Sequence, residues 1–358
     1  MNREEFPRSF SLREHPGREE QLMEPSGIIF TERREQPVKQ WPFPDKKVGQ
    51  ARKAQRHPLT RRYMFMREDH DRRNLHDGPV NPDRLETEDW AGVTRTIKKV
   101  VLDLGADIVG VAPVDEFDYV RGTKPPEGHK VAISFAIHMS FEEMKRLGPL
   151  AQTEVHKVYY LLSDVTVRLA QYIRAYGYHA VGYANEGDLL FIPVAWKAGL
   201  GELGRHGSLI TKKFGPSVRL GAVTTEMPLI PEAQPANFGF DDFCLRCNAC
   251  TNFCPGDSIV PQKQEVFGTV RWHVDTPTCR PFFEQYEGCK VCLTVCPINA
   301  QTPVAPMYKN LMKGLMRRKI PVRQLIDEWR AEGIQEAEEF GEGWVPESEE
   351  ENGSGDGR

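Results

Sequence analysis

The chain has 358 residues, a formal net charge of -4 and eight cysteines. That length supports a well-buried core and more than one domain, and the mildly acidic balance provides no global attraction to nucleic acid. No apolar run approaches the roughly 18 to 20 residues a membrane span needs, and the N-terminal MNREEFPRSFSLREHPG has no apolar signal region, so the expected location is the cytoplasm, with no membrane partner.

Residues 1–85 are rich in Arg, Pro, Glu and His and show little periodicity, which reads as an extended, partly ordered arm. Its apolar pieces GIIF and YMFM are candidates to pack on a body, whereas the basic stretch from Arg52 to Arg73 reads as a solvated charged face and receives no site. From Glu86 the pattern turns globular: ETEDWAGVTRTIKKVVLDLG predicts an amphipathic helix, followed by strands in DIVGVAPV and KVAISFAIH. A long helix is predicted from Gln152 to Tyr176, with Val155, Tyr159, Leu162, Leu169, Tyr172 and Tyr176 forming one buried stripe. The strand HAVGYA, the loop NEGDLLFIPVA, the glycine-rich KAGLGELGRHGSLITKKFGPSVRL and the strand RLGAVTTEM complete an α/β body. The closing GWVPESEEENGSGDGR is acidic and has the composition of a disordered tail.

All eight cysteines fall in two runs. CLRCNACTNFCP carries Cys244, Cys247, Cys250 and Cys254 in the CxxCxxCxxxCP spacing of bacterial ferredoxins. CRPFFEQYEGCKVCLTVCP carries Cys279, Cys289, Cys292 and Cys296, the last three repeating CxxCxxxCP. In two-cluster ferredoxins the fourth cysteine of each run ligates the other cluster. Cys244, Cys247, Cys250 and Cys296 are therefore assigned to one 4Fe-4S cluster, and Cys254, Cys279, Cys289 and Cys292 to a second. Zinc and disulfides are the competing readings; the interleaved half-motifs disfavour the first and the expected cytoplasmic location the second.

A ferredoxin-type module joined to a larger body delivers single electrons to something that body holds. With no cysteine left over, that centre is expected to be an organic or tetrapyrrole cofactor. The candidate cradle is AGLGELGRHGSLI, where Gly199, Gly201, Gly204 and Gly207 would let backbone approach a broad flat ligand, with Arg205 and His206 beside them. Turns and a helix end explain the same glycines, and His206 also reads as a structural histidine. GLGELG is not the dinucleotide fingerprint, because no strand leads directly into it.

The stretch AGLGELGRHGSLITKKFGPSVRLGAVTTEMPL, followed by FCLRCNACTNFCP, Trp272 and CKVCLTVCP, resembles the cobalamin-dependent reductive dehalogenases in wording and order, over roughly Val155 to Pro297. The resemblance implies an α+β fold in which a nitroreductase-like core, residues 86–237, holds a base-off corrinoid. A ferredoxin-like domain with two clusters, residues 238–303, relays electrons to it, and a C-terminal helix and acidic tail fill residues 304–358. It further implies a proton-donating tyrosine at Tyr159 in HKVYYLLSD, a halide-pocket asparagine at Asn185 and an arginine at Arg219 in FGPSVRL. Tyr160 competes with Tyr159 if the spacing slips by one. A core tyrosine, a turn residue and a structural ion pair are the plain alternatives for the three positions.

Reducing a carbon-halogen bond needs two electrons and one proton. A tyrosine, with an ordinary pKa near 10, donates more readily beside a guanidinium that stabilises the phenolate left behind, which is the role implied for Arg219. Asn185 would offer an N-H to the developing halide. The chain lacks the twin-arginine signal of the respiratory members and the fused flavin reductase domain of some cytosolic ones, so an external ferredoxin or flavodoxin is the expected donor and a small halogenated molecule the expected substrate. The epoxyqueuosine reductases, which act on transfer RNA, are the nearest alternative. Their VDSAP-like motif is replaced here by VGYANEGDLL, without its aspartate, and the acidic charge suits RNA poorly. A non-catalytic electron-transfer or corrinoid-reducing protein is the alternative from another class.

Overall fold

The computed structural model describes residues 27–30, 32, 57–123, 125–145, 147–184, 187–286 and 288–301, with isolated positions at 313, 324, 327, 328 and 331. Apart from those positions, the expected C-terminal helix and tail of 304–358 lie outside the described residues.

In chain order, α1 (Pro58–Arg72) and α2 (Trp90–Asp103) precede β1 (Ile108–Pro113), β2 (Val131–His138), the short α3 (Phe141–Met144) and the long α4 (Pro149–Ala175). There follow β3 (Ala180–Ala184), α5 (Phe191–Lys197), β4 (Gly201–Leu203), β5 (Leu209–Thr211) and β6 (Val218–Thr225). The cysteine-bearing segment contributes α6 (Phe240–Arg246), α7 (Ala249–Asn252), β7 (Gln264–Val266), β8 (Thr269–Arg271), α8 (Thr276–Gln285) and α9 (Val291–Thr294). The protein is thus a mixed helix-and-sheet fold.

The main sheet runs β1-β2-β6-β3, with every neighbouring pair antiparallel. Strand side chains alternate between faces. Val131, Ile133, Phe135 and Ile137 of β2 join Val223 of β6 under α2 and α4, while Ala132 and Ala222 face α5 with Val194 and Ala195. Helices on both faces explain why VAISFAIH reads as an almost unbroken apolar run.

α4 spans 27 residues, about 40 Å at the usual helical rise. Its fully buried stripe is Val158, Leu162, Val165, Leu169 and Ile173. Of the row expected from the sequence, Leu162 and Leu169 lie on that stripe, whereas Val155, Tyr159 and Tyr172 are half-buried against it and Tyr176 is exposed. Tyrosine places its ring at the margin of a packed face so that the hydroxyl keeps a polar outlet.

α1 lies within the region the sequence presented as an extended arm. Pro58 supplies the fixed φ suited to a first helical turn, and the His57 imidazole accepts from the Leu59 N-H at 3.4 Å. Tyr63 and Met64, from YMFM, are buried. Two polar pairs lie along the contact with α4: Thr60 Oγ1 to Thr153 Oγ1 at 2.8 Å and His70 Nδ1 to Ser163 Oγ at 2.9 Å. Both pairs are 93 residues apart in sequence, so the two helices run parallel. GIIF packs as well: the Gly27 N-H bonds the Val270 carbonyl, Ile28 is buried with Leu203, Phe240 and Trp272, and Phe30 packs with Val120 and Leu190. Among the described residues no helix is long and apolar enough to cross a membrane.

Candidate functional site

Tyr159 and Arg219 come together although 60 positions separate them. α4 lies across the sheet face to which Arg219 of β6 points, in register with Ile137, and the Arg219 guanidinium sits over the Tyr159 ring at 4.8 Å from its centroid. Arg219 Nε is buried without a hydrogen-bond partner, and a buried donor of that kind ordinarily has one. A second guanidinium reaches the same ring: Arg67 of α1 stands 5.8 Å from the Tyr159 centroid. The His156 ring meets it edge-on at 5.8 Å. Tyr160, by contrast, faces α1, with its ring 6.2 Å from Tyr63 and 5.7 Å from His70. Asn185 lies outside the described residues, immediately beyond β3.

The cysteine-bearing segment packs against the residues that lead into α4. Val291 of α9 and Val295, just after it, pack with Leu147, just before α4, and Thr294 Oγ1 donates to the Met144 carbonyl at 3.0 Å. Lys290, next to Cys289 in the chain, is buried; burial pushes its ammonium down to about 7, opposed by the charge of Cys289 and reinforced by that of Arg219.

The eight thiols are all unbridged. Cys244, Cys247, Cys250 and Cys296 act electrostatically on one another, and so do Cys254, Cys279, Cys289 and Cys292. Cys250 and Cys292 interact across the two groups. Burial pushes the Cys244 and Cys289 thiols up to about 11 and that of Cys250 to about 12. As thiolates, eight such groups would need positive charge among them, which iron supplies. Among the described residues no three Cys, His, Asp or Glu side chains converge as the ligands of a single metal ion do.

The glycine-rich segment is the β4–β5 hairpin. A Cβ at Gly201 would collide with the Ile210 carbonyl, and Gly207 turns at a φ of 75° against Val274, so close approaches within the chain itself account for these two. Gly199 and Gly204 flank β4. Arg205 is 1% exposed and turns to the thiols: Nε and Nη2 both donate to the Cys244 carbonyl and Nη1 to that of Pro261. His206 is buried, and its Nδ1 accepts from the Ser208 N-H at 3.2 Å. The neutral tautomer then carries its proton on Nε2, which is buried without a partner. Burial pushes this imidazole down to about 4, keeping it neutral. Glu202 of β4 accepts from the backbone N-H groups of Phe238, Gly239, Phe240 and Asp241, fastening the start of α6, which carries Cys244.

Sequence reasoning missed Arg67, Lys290 and Glu202. Lys290 was marked by its place inside CKVC, and Glu202 by lying within the glycine motif. Arg67 carried no signal, because its meaning depends on where α1 docks.

No family model matches the chain. It is 32% identical over 220 residues to a tetrachloroethene reductive dehalogenase of Desulfitobacterium hafniense, covering 57% of this chain and 38% of that protein. It is 30% identical over 267 residues to the tetrachloroethene reductive dehalogenase of Dehalobacter restrictus, covering 58% and 48%. The epoxyqueuosine reductase of Lactococcus garvieae is a more distant relative, 24% identical over 249 residues. Among solved structures, the catabolic reductive dehalogenase NpRdhA superposes with a TM-score of 0.69 at 21% identity, over 86% of this chain and 50% of that one. The chain resembles reductive dehalogenases in sequence and fold, and spans about half or less of the length of these dehalogenase relatives.

Proposed function

We propose that the protein is a reductive dehalogenase-like oxidoreductase in which two 4Fe-4S clusters and a base-off corrinoid serve the removal of halide from a small organic molecule. On this reading residues 86–237 form a nitroreductase-like core, residues 238–303 a ferredoxin-like domain, and an external ferredoxin or flavodoxin in the cytoplasm supplies electrons. The observation that carries the reading is the guanidinium of Arg219 over the Tyr159 ring, on a helix whose leading segment, Met144 and Leu147, packs against the second thiol run. Two groups of four thiols suit two clusters. Two buried polar atoms without partners, Arg219 Nε and His206 Nε2, each suit contact with a polar ligand.

When bound, the corrinoid would supply the low-valent metal chemistry that reduces the carbon-halogen bond, recharged one electron at a time through the clusters. The chain's own part is the proton. Tyr159 gives its hydroxyl proton to the carbon from which halide departs, and Arg219, fixed in its charged form, stabilises the phenolate. Asn185 would hold the departing halide with its side-chain N-H. The two groups of thiols would hold the clusters that relay single electrons, with Cys250 and Cys292, which interact across the groups, as the point where the two clusters would exchange them.

The test is electron paramagnetic resonance on anaerobic protein reconstituted with iron, sulfide and cobalamin. A base-off cobalt signal beside two reduced-cluster signals is expected, and two clusters without bound cobalt would overturn the reading. Tyr159→Phe should keep all three centres and lower turnover of a halogenated aromatic by about 100-fold or more, the scale of general acid catalysis.

A further inference from the structure

We infer that Arg205 is a positioning residue that raises the reduction potential of the cluster held by Cys244, Cys247, Cys250 and Cys296, an inference that rests on the cluster reading above. A cluster's potential is set by hydrogen bonds, burial and the charges fixed around it. Arg205 is a guanidinium buried to 1% exposure at the tip of the β4–β5 hairpin, a segment that carries none of the thiols. Its placement is held from three sides. Two of its nitrogens converge on the Cys244 carbonyl, a third reaches the Pro261 carbonyl, and its plane lies 4.3 Å from the centroid of the buried Trp272 ring. Trp272 is itself pinned, donating from Nε1 to Asp241 Oδ1 at 2.7 Å, while Lys263 bonds the other oxygen of that carboxylate at 2.8 Å.

The charge lies against the first thiol run, since two of the guanidinium nitrogens bond the backbone carbonyl of Cys244 itself. Reduction places one further electron on the cluster, delivered by a low-potential donor such as a reduced ferredoxin or, in a titration, dithionite. A fixed positive charge in a poorly screened interior stabilises that added negative charge more than it stabilises the oxidised cluster. The first cluster is therefore made easier to reduce by a side chain outside the cysteine runs. Bidentate donation to one carbonyl and stacking on indole both exploit the planar guanidinium, which holds the charge at a fixed distance from Cys244.

A redox titration of the reconstituted full chain, followed by electron paramagnetic resonance, compares wild type with Arg205→Gln and Arg205→Lys. The first cluster is identified as the signal missing from Cys247→Ala. In Arg205→Gln its reduction equilibrium should fall about tenfold, which for one electron is about 59 mV, while the second cluster keeps its midpoint. Arg205→Lys, which retains the charge, should recover most of that shift. Should Arg205→Gln not assemble the first cluster, Arg205→Lys decides alone: a midpoint near wild type supports the inference, and a fall as large as charge removal predicts overturns it. Unchanged midpoints in Arg205→Gln, or equal shifts in both clusters, would also overturn it. Wild-type protein that assembles no clusters would instead refute the functional reading on which the inference stands.

Discussion

Glu202 allows a stability prediction that also reports on the thiol centre. Its buried carboxylate accepts four consecutive backbone N-H groups, with Gly239 at 3.1 Å, Phe240 at 2.9 Å and Asp241 at 3.2 Å, and with Phe238 as the fourth donor. α6 has seven residues and no side-chain cap of its own at Gly239, so this carboxylate from β4 does that work from a distance. At about 1.5 kcal/mol for each charge-assisted bond, four amount to about 6 kcal/mol. Phe238 and Gly239 are exposed, and water can satisfy their N-H groups once the carboxylate is gone, which leaves about 3 to 4 kcal/mol. Glu202→Ala should therefore raise the local opening of α6 about 100- to 1000-fold, at a tenfold change per 1.4 kcal/mol. The loss should be specific to the cluster that needs Cys244. Anaerobic denaturant titration and iron analysis provide the check: a lowered midpoint and loss of about half the iron are expected, with the second cluster's resonance retained. Glu202→Ala protein with full iron and a wild-type midpoint would show that the fan of hydrogen bonds does not hold the helix.

Arg67→Gln should slow turnover about tenfold with little change in KM, because a cation over an aromatic ring is worth about 1 to 2 kcal/mol when shielded from solvent; an unchanged kcat would remove Arg67 from the site. Cys279→Ala should lose about half the iron and block electron delivery beyond the first cluster, and full iron in that variant would show that Cys279 is no ligand. His129 sets a pH response. It bonds Thr224 at 2.7 Å and His179 at 2.9 Å, and burial, reinforced by His179, pushes it down to about 4. Its folded value lies below the unfolded one, so the unfolded chain binds the extra proton and this contribution to stability is complete above about pH 6.5 and lost as pH falls toward about 4. His129→Gln should flatten the slope of unfolding free energy against pH in that window by about one proton, and an identical slope in the variant would contradict the assignment.

Much of the body was legible because its signals are local. The four strands of the sheet and α2 and α4 each announce themselves by periodicity, and the cysteine spacing was readable without any structure. Pairing was not legible, since the partners of β2 in β6 lie 80 to 94 positions away and nothing in either strand names its partner. α1 was missed for a physical reason: most of PLTRRYMFMREDHDR is charged or polar, and only Thr60, Tyr63 and Met64 are buried, too few to print a stripe. Leu162 and Leu169 of α4 were placed on the right face, but its tyrosines were set too deep because they count as apolar in a pattern while they occupy the edge of a packed face. Arg205 was placed beside a cofactor by its glycine neighbours, yet its hydrogen bonds run to the Cys244 carbonyl, a direction that motif position cannot encode.

The polar seam between α1 and α4 bears on more than adhesion. An apolar interface between two parallel helices tolerates sliding, because one ridge fits the next groove nearly as well. A displacement of one turn, about 5.4 Å, would break the Thr60–Thr153 and His70–Ser163 bonds together and carry the guanidinium of Arg67 off the Tyr159 ring. Like a lone polar residue in a coiled coil, the seam works as a registry pin: it selects one longitudinal setting from several of similar packing, and thereby fixes which side chain of α1 arrives at the phenol.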